Sequence, residues 1–229
     1  DNKTPLTYHI ESYDPLLGVG TLWVDMPKLA GGEKAPIWLY HGNKAAPAAV
    51  NTGSTFDADT VLVLHYDEAV GTPIADKTAY KNNPANGPTS VDEGSIIGRG
   101  GKFAASTGMV VPASNSLATS GPFTFSTWVK IDAPGERQTL FARDGSGLDL
   151  VAGVPTMIIG GATAAAAAPI AAGQWTHVAV AADGKATRLY VNGQESAALP
   201  GAAPAAAGAV TIGGSAGAPF TGGLDETRL

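Results

Sequence analysis

The most constraining feature of this sequence is a run of alternating residues that is interrupted by two turn-forming dipeptides. Between Gln174 and Glu195 the side chains alternate in character at a period of two, and the alternation breaks at Asp183-Gly184 and at Asn192-Gly193. Asp-Gly and Asn-Gly adopt the positive φ angles of tight hairpin turns more readily than other pairs. The run therefore predicts a three-stranded antiparallel meander. Its first strand, residues 174–180, carries bulky side chains on both faces, which is typical of a strand inside a sandwich.

The composition of the chain is that of an all-β protein. Among its 229 residues, 15% are charged and 44% are apolar, while 30 glycines and 16 prolines supply many turn formers. This balance favours numerous short strands over helices. The net charge of −6 and the lack of a Lys/Arg cluster argue against nucleic acid as a partner, because binding to phosphates requires a basic stripe. No apolar run approaches the roughly 20 residues that cross a bilayer, so no membrane contact by this segment is expected.

The sequence divides into a short N-terminal unit and a long C-terminal unit. Alternating patterns predict three strands in the N-terminal unit, at residues 6–11, 19–26 and 37–43. Its two tryptophans, Trp23 and Trp38, predict a hydrophobic core, although three strands are marginal without a partner sheet. Small and polar residues, with Pro47 and Gly53 among them, then indicate a linker. The predicted boundaries are residues 1–50 for the first unit, 51–56 for the linker and 57–229 for a single β-sandwich.

Three stretches of the first unit resemble an uncharacterised domain family. They are Tyr8–Asp14, Leu22–Pro27 and Ile37–Asn43, and they resemble the second half of the DUF2341 domain over about a fifth of the 229 residues. In that family an N-terminal half precedes these strands. The resemblance implies that this chain is part of a larger polypeptide that includes the missing half.

The long unit is similar to the laminin-G-like, concanavalin A-type jelly rolls of bacteria. The matching landmarks, in the order of the family, are His65–Glu68, Asp76, Asn82-Asn83, Gly98–Phe103, Phe123–Val129, Gly173–Ala179, Leu189–Gly193, Ile212-Gly213 and Gly222–Arg228. The resemblance implies an all-β jelly-roll sandwich preceded by a small partial β-unit. This fold hosts lectins, adhesion modules, hydrolases and inert spacers, so it does not by itself identify a ligand.

The order of the two domains carries a further implication. A DUF2341 domain followed by such a jelly roll resembles the extracytoplasmic region of bacterial proteins of the MotA/TolQ/ExbB-type proton channel family. The resemblance implies a periplasmic or cell-surface location and a role in an energised transport system.

Two acidic residues are the candidate ligands of a structural calcium ion. Ca²⁺ takes several oxygen ligands, and the resemblance to the jelly-roll family implies an ion held by an acid of the last strand. Asp225 matches that position, and Asp67 lies close to it if the first and last strands pair. The alternative is that Asp225 caps a turn or pairs with Arg228 or Arg99 at the surface.

The candidate ligand-binding residues share one polar loop and are Asp76, Tyr80, Asn82 and Asn83. Asp and Asn side chains also close turns through hydrogen bonds to the backbone, and this structural alternative is favoured. Sugar binding would use exposed aromatic rings. The rings of Tyr13 and Tyr80 are in predicted loops, whereas Trp128 and Trp175 are predicted to be buried in core strands.

Neither the histidines nor the acids form a recognised catalytic pattern. The four histidines are scattered and have no pair at metal-ligand spacing; they are His9, His41, His65 and His177. A hydrogen-bonded sheet histidine is the favoured interpretation of each. Retaining glycosidases need two carboxylates about 5 to 5.5 Å apart. The adjacent acids in Asp67-Glu68 and in Asp225-Glu226 are expected to point to opposite faces of a strand.

The sequence thus predicts a non-catalytic recognition or structural module that binds a glycan or an envelope protein. A glycoside hydrolase of the glucanase type is the enzymatic alternative on this fold, and it requires two carboxylates in one groove. A passive spacer is the third hypothesis, and a sheet face without aromatic residues would favour it.

Overall fold

All regular elements of the described residues are β-strands. The computed structural model describes residues 4–46, 55–88, 90–92, 94–106 and 108–229. None of these residues forms a helix of the length and apolar character that crossing a membrane requires. The strands are β1 (Tyr8–Asp14), β2 (Val19–Val24), β3 (Val63–Leu64), β4 (Ser90–Asp92), β5 (Gly100–Ser106), β6 (Met109–Val111), β7 (Phe123–Ile131), β8 (Arg137–Arg143), β9 (Ser146–Val151), β10 (Val154–Ile159), β11 (Ala162–Ala165), β12 (Thr176–Ala182), β13 (Ala186–Val191), β14 (Gln194–Pro200), β15 (Val210–Ile212), β16 (Gly214–Ser215) and β17 (Ala218–Arg228).

The N-terminal unit is a two-stranded antiparallel hairpin of β1 and β2. Its turn is closed by Asp14 Oδ1, which accepts the backbone N–H groups of Leu16 and Leu17 at 2.8 and 3.0 Å. The predicted third strand at residues 37–43 is wrong. That segment is not paired with any strand of the described chain, and the Trp38 side chain within it is 54% exposed. Alternation marks a segment that suits a sheet, but a strand also needs a neighbour to satisfy its backbone, and the predicted core around Trp38 does not form.

The remainder of the chain forms two packed antiparallel sheets. The six-stranded sheet has the order β11-β10-β9-β8-β15-β6. The nine-stranded sheet has the order β14-β13-β12-β7-β17-β5-β4, with β3 and β16 also paired to β17. The predicted all-β jelly-roll sandwich is therefore confirmed.

The core lies between the two sheets. In β7 the alternate side chains of Phe125, Thr127, Val129 and Ile131 are fully buried, as the period of two predicts. The Phe125 ring stacks on Phe141 of β8, with centroids 4.4 Å apart, and joins the two sheets directly. The other large, fully buried side chains of the core are Leu62, Leu64, Tyr66, Phe103, Met109, Leu117, Leu140, Leu148, Leu150 and Phe220.

The predicted meander is confirmed as β12, β13 and β14. Its second turn is Asn192-Gly193, with φ of 49° and 77°, the pair of positive values that a two-residue hairpin turn requires. The first and last strands of the sandwich also pair, because Thr227 of β17 is the partner of Leu64 in β3. This pairing brings the segment after β3 next to the end of β17, where the N-terminal hairpin also docks.

Candidate functional site

The face of the nine-stranded sheet that points away from the core carries a row of cross-strand partners. Tyr190 of β13 pairs with Ala179 of β12, which pairs with Ser126 of β7. Ser126 in turn pairs with Arg228 of β17. Directly paired residues share a face of the sheet, and three interstrand spacings of about 4.8 Å make the row about 14 Å long. The two residues in its middle, Ala179 and Ser126, are small, and we call the stretch of this row between Tyr190 and Arg228 the trough.

Three further ring side chains flank this trough. Trp128 pairs with His177, and their rings meet edge to face with centroids 5.3 Å apart. Trp175 lies directly before β12, two residues from His177, and its contact with Lys130 of β7 places its ring beside the same face of the sheet. Its indole N–H donates to the Gly94 carbonyl at 2.7 Å, and Lys130 Nζ lies 4.8 Å from its ring centroid. We call Trp128, Trp175, His177 and Tyr190 the aromatic face.

The prediction that Trp128 and Trp175 are buried is wrong. Both indole side chains are half-buried and lie on the side of the sheet opposite the core. Both faces of these strands carry bulky residues. Periodicity therefore separates the two faces without showing which one is covered.

The β1–β2 hairpin packs against one end of this face. The Trp23 ring centroid lies 4.5 Å from the guanidinium carbon of Arg228, and the Trp23 ring stacks on His65 with centroids 5.1 Å apart. Phe56 adds a ring 5.7 Å from the same guanidinium carbon. Phe56 and Thr55 belong to the predicted linker, and Thr55 is only 9% exposed. The described end of the linker is thus packed, while its other residues lie outside the described part of the chain.

A buried polar cluster lies at the seam between the hairpin and the sandwich. His65 Nδ1 is 2.6 Å from Glu226 Oε1, and His65 Nε2 is 3.2 Å from His9 Nε2. The Trp23 indole N–H donates to Glu11 Oε2 at 2.5 Å. We call His9, Glu11, His65 and Glu226 the seam cluster. None of the four is more than 7% exposed.

Burial and the hydrogen bonds within the seam cluster together shift the pKa values of His9, Glu11 and Glu226. Burial and the neighbouring His65 lower the pKa of His9 to about 4. Burial also raises the pKa of the Glu11 carboxyl above its usual range. For Glu226, burial acts to raise the pKa, but the hydrogen bonds and charges of His65 and Arg228 lower it below its usual value. The cluster therefore holds two carboxylates whose pKa values move in opposite directions.

The acids predicted to hold calcium contact hydrogen-bond donors. Asp225 is fully buried, and its Oδ2 accepts the backbone N–H groups of Ile96 and Ile97, both at 3.0 Å. Burial raises the pKa of Asp225 to about 7 despite these bonds. Asp67 Oδ1 pairs with Lys77 Nζ at 2.6 Å. N–H and ammonium groups do not fit the oxygen shell of Ca²⁺, so the calcium site at Asp225 and Asp67 stays a prediction that these contacts do not support.

The polar loop of residues 76–83 is closed by its own side chains. Asp76 is 1% exposed, and its carboxylate accepts the backbone N–H groups of Val63 and Asn82. Asn83 Oδ1 accepts the Asp76 N–H at 2.9 Å. The Tyr80 ring is 42% exposed, and its hydroxyl donates to a backbone carbonyl. These contacts favour the loop-closing interpretation, and ligand binding by Asp76, Tyr80, Asn82 and Asn83 stays a prediction.

A second concave region lies beside the six-stranded sheet. It is an open cavity of about 300 Å³, and its charged side chains are engaged. Arg137 Nε pairs with Asp149 at 2.6 Å, and Asp144 accepts the Gly208 N–H at 2.7 Å. The aromatic side chain in its lining, Phe141, is 4% exposed. This cavity therefore offers a sugar less ring surface than the aromatic face does.

Two protein families match this chain. The family described as the concanavalin A-like lectin/glucanases superfamily matches residues 103–229, which is more than half of the sequence. The DUF2341 family, a domain of unknown function, matches residues 1–83. The predicted order of the two domains is confirmed, whereas the predicted boundaries at residues 50 and 57 stay predictions. No curated protein matches the sequence.

Solved structures share the sandwich fold. Domain 4 of AbnA, a GH43 extracellular arabinanase from Geobacillus stearothermophilus in complex with arabinotriose, is 21% identical with a TM-score of 0.57, covering 74% of this chain and 90% of that chain. Trypanosoma rangeli sialidase in complex with the inhibitor DANA is 17% identical with a TM-score of 0.55. That match covers 73% of this chain but only 29% of the sialidase chain. At these identities the likeness shows the fold alone.

Proposed function

Because this chain belongs to the concanavalin A-like lectin/glucanases superfamily, we propose that it is a non-catalytic module that binds a glycan through the aromatic face. Membership in a fold family does not identify a ligand, so the proposal rests on the site. The AbnA domain, which shares the fold, was solved with arabinotriose. An oligosaccharide is therefore a ligand class that this architecture accommodates.

The observation that carries the proposal is the trough of small residues bordered by half-exposed rings. Ala179 and Ser126 form its floor, and Trp128 and Tyr190 border it. Binding sites for small molecules combine ring surface with a few placed polar groups, and the Ser126 hydroxyl and the Arg228 guanidinium supply such groups here. The residues of the site lie on hydrogen-bonded strands, so they lose little conformational entropy when a ligand binds. A length of about 14 Å suits an oligosaccharide better than a single sugar ring.

Replacing Trp128 with alanine is expected to weaken oligosaccharide binding at least about 30-fold. Central aromatic residues of a binding surface contribute about 2 kcal/mol or more, and Trp128 lies beside the middle of the trough. The measurement is isothermal titration calorimetry with arabinotriose and with the best ligand from a glycan array.

The matched control is Tyr80→Ala, which removes an exposed ring from the polar loop. It is expected to leave the affinity unchanged, because Tyr80 does not belong to the aromatic face. Equal affinity in wild type and Trp128→Ala, with loss in Tyr80→Ala, would move the site to the loop. Failure of the wild-type chain to bind any glycan on the array would contradict the proposal. Circular dichroism is used to check that both variants are folded.

A glycoside hydrolase is the second candidate, and one observation favours it. Oxygens of Glu11 and Glu226 lie within 4.8 Å of each other and of a His65 nitrogen. Their opposite pKa shifts are those that an acid and a nucleophile of a retaining enzyme need. Against this reading, Glu226 uses one oxygen for His65 and the other for Arg228. Both acids are also buried, so no side is open to a sugar.

The glycoside hydrolase hypothesis can be tested directly by an activity assay. Release of reducing sugar from a β-glucan or an arabinan by wild type, together with its loss in Glu226→Gln, would establish the enzyme. We expect no release from either protein. Activity that persists in Glu226→Gln would exclude Glu226 as the nucleophile.

The domain order supports placing this module in a larger bacterial envelope protein, in the periplasm or at the cell surface. The further proposal is that it forms the periplasmic part of an ExbB/TolQ-like energised transport system, with a glycan or an envelope protein as its partner. The test is the sequence of the full-length gene product together with cell fractionation. A full-length product that lacks membrane-spanning helices and fractionates with the cytoplasm would contradict this placement.

A further inference from the structure

The N-terminal hairpin and the segment after it hold the arginine at one end of the trough. The guanidinium carbon of Arg228 lies 4.5 Å from the ring centroid of Trp23 and 5.7 Å from that of Phe56. Its Nη2 donates to Glu226 Oε2 at 2.8 Å. We propose that the hairpin is part of the glycan site, because Trp23 positions Arg228 so that its other N–H groups donate to the ligand. The role assigned to Trp23 rests on the function proposed above.

The Trp23 ring is itself held by both units of the chain. It stacks on the fully buried His65 of the sandwich, with centroids 5.1 Å apart and an interplanar angle of 17°. Its indole N–H donates to Glu11 Oε2 of the hairpin at 2.5 Å. A cation is attracted to the face of an aromatic ring, and a ring fixed in this way fixes the guanidinium beside it. Trp23 is therefore a positioning residue that acts through Arg228.

Arg228 has donors left for a ligand. A guanidinium carries five N–H groups in one rigid plane, and the Arg228 side chain is 34% exposed although Glu226 accepts from its Nη2. Adjacent hydroxyl groups of a sugar ring can accept two such N–H groups. An arginine that a ligand first has to immobilise loses about 2- to 10-fold in affinity. Holding the side chain in advance removes that loss.

Arg228 belongs to the same face of the sheet as the rings of the aromatic face. Its neighbour Thr227 is fully buried and bonds to the core hydroxyl of Thr127 at 2.8 Å. Arg228 therefore projects from the opposite face, where it is the cross-strand partner of Ser126. Burial lowers the pKa of His177, and the charge of Arg228 lowers it further. A ligand that fills the trough therefore meets Arg228 at its end.

The test measures binding of arabinotriose and of the best ligand from the glycan array by isothermal titration calorimetry. Arg228→Ala should weaken binding about 10- to 100-fold, because hydrogen bonds to a charged group are lost. Trp23→Ala leaves the arginine in place but no longer holds it, so a loss of about 2- to 10-fold is expected. The double variant should lose no more than Arg228→Ala alone, because Trp23 acts only through Arg228. Trp23→Phe retains a ring and should restore most of the affinity.

The titration of His177, followed by NMR in the ligand-free chain, reports the position of Arg228 without any glycan. Loss of the positive charge in Arg228→Ala should raise the pKa of His177. Trp23→Ala should raise it by a smaller amount, because the guanidinium is then free to move away. Leu16→Ala changes the exposed tip of the same hairpin and should alter neither the affinity nor the titration.

The outcomes separate the role of the hairpin from the glycan function itself. Wild-type affinity in Trp23→Ala, or losses that multiply in the double variant, would overturn the positioning role. If Trp128→Ala still weakens binding in that case, the glycan function stands. A wild-type chain that binds no glycan would instead remove the proposed function, and with it the contact between Arg228 and a sugar. An unchanged His177 pKa in Trp23→Ala would overturn the positioning of Arg228 in either case.

Discussion

Replacing Phe125 with alanine is expected to lower the free energy of unfolding by about 3–5 kcal/mol. The Phe125 side chain is fully buried, and its ring stacks on Phe141 with centroids 4.4 Å apart. The two rings come from different sheets, so the truncation removes a contact that joins the layers and leaves a cavity between them. Domains are stable by only about 5–15 kcal/mol in total. The loss is therefore a large fraction of the stability of the sandwich.

Urea unfolding followed by circular dichroism measures this loss. The control is Leu16→Ala, because Leu16 is 95% exposed at the tip of the hairpin and a truncation there should change stability by less than about 0.5 kcal/mol. A Phe125→Ala variant as stable as Leu16→Ala would show that the sheets do not pack through this ring.

Replacing Glu226 with alanine is expected to cost about 3–5 kcal/mol and to loosen the N-terminal hairpin. Removing one partner of a buried, charged hydrogen-bonded pair leaves the other partner unsatisfied. His65 is fully buried and would lose the acceptor of its Nδ1–H. His65 also contacts His9 and Trp23 of the hairpin. Loss of its orientation should therefore weaken the seam as well as the sandwich.

Unfolding in urea and limited proteolysis of the hairpin measure the two effects. The matched control is Glu195→Ala. It removes a different carboxylate that pairs with an arginine, because Glu195 Oε2 lies 3.5 Å from Arg188 Nε. The Glu195 side chain is 51% exposed, and an exposed ion pair contributes at most about 1 kcal/mol. Equal losses in the two variants, or a hairpin that is cleaved no faster in Glu226→Ala, would contradict a stabilising role for the seam cluster.

Most of the sandwich was predictable because its signals are local. The turns at Asp183-Gly184 and Asn192-Gly193 and the alternation between them predict β12, β13 and β14, and the structure contains all three. The strict alternation of residues 123–131 predicts β7 with its bounds. The segment 37–43 has an equally good pattern but forms no strand. Alternation reports which side chains share a face and says nothing about whether a neighbouring backbone is present to pair with.

The candidate sites were less predictable than the fold. Trp128 lies in β7 as predicted, whereas Trp175 lies directly before β12 and not in the predicted strand; both side chains are on the side of the sheet opposite the core. The four histidines had no metal-ligand spacing in sequence, because His9 and His65 are 56 positions apart. The one signal available was the position of His9 two residues before Glu11, which places both on one side of a strand.

By itself, the sequence determined the all-β class, the meander and the order of the two domains, because turn dipeptides and alternating side chains act over a few neighbouring residues. Only the tertiary structure decided which sheet face carries half-buried rings and that His9 and Glu11 meet His65 and Glu226. Both outcomes depend on how the hairpin docks on β17 and on which sheets pack together. Those contacts join residues far apart in the chain, and no local pattern encodes them.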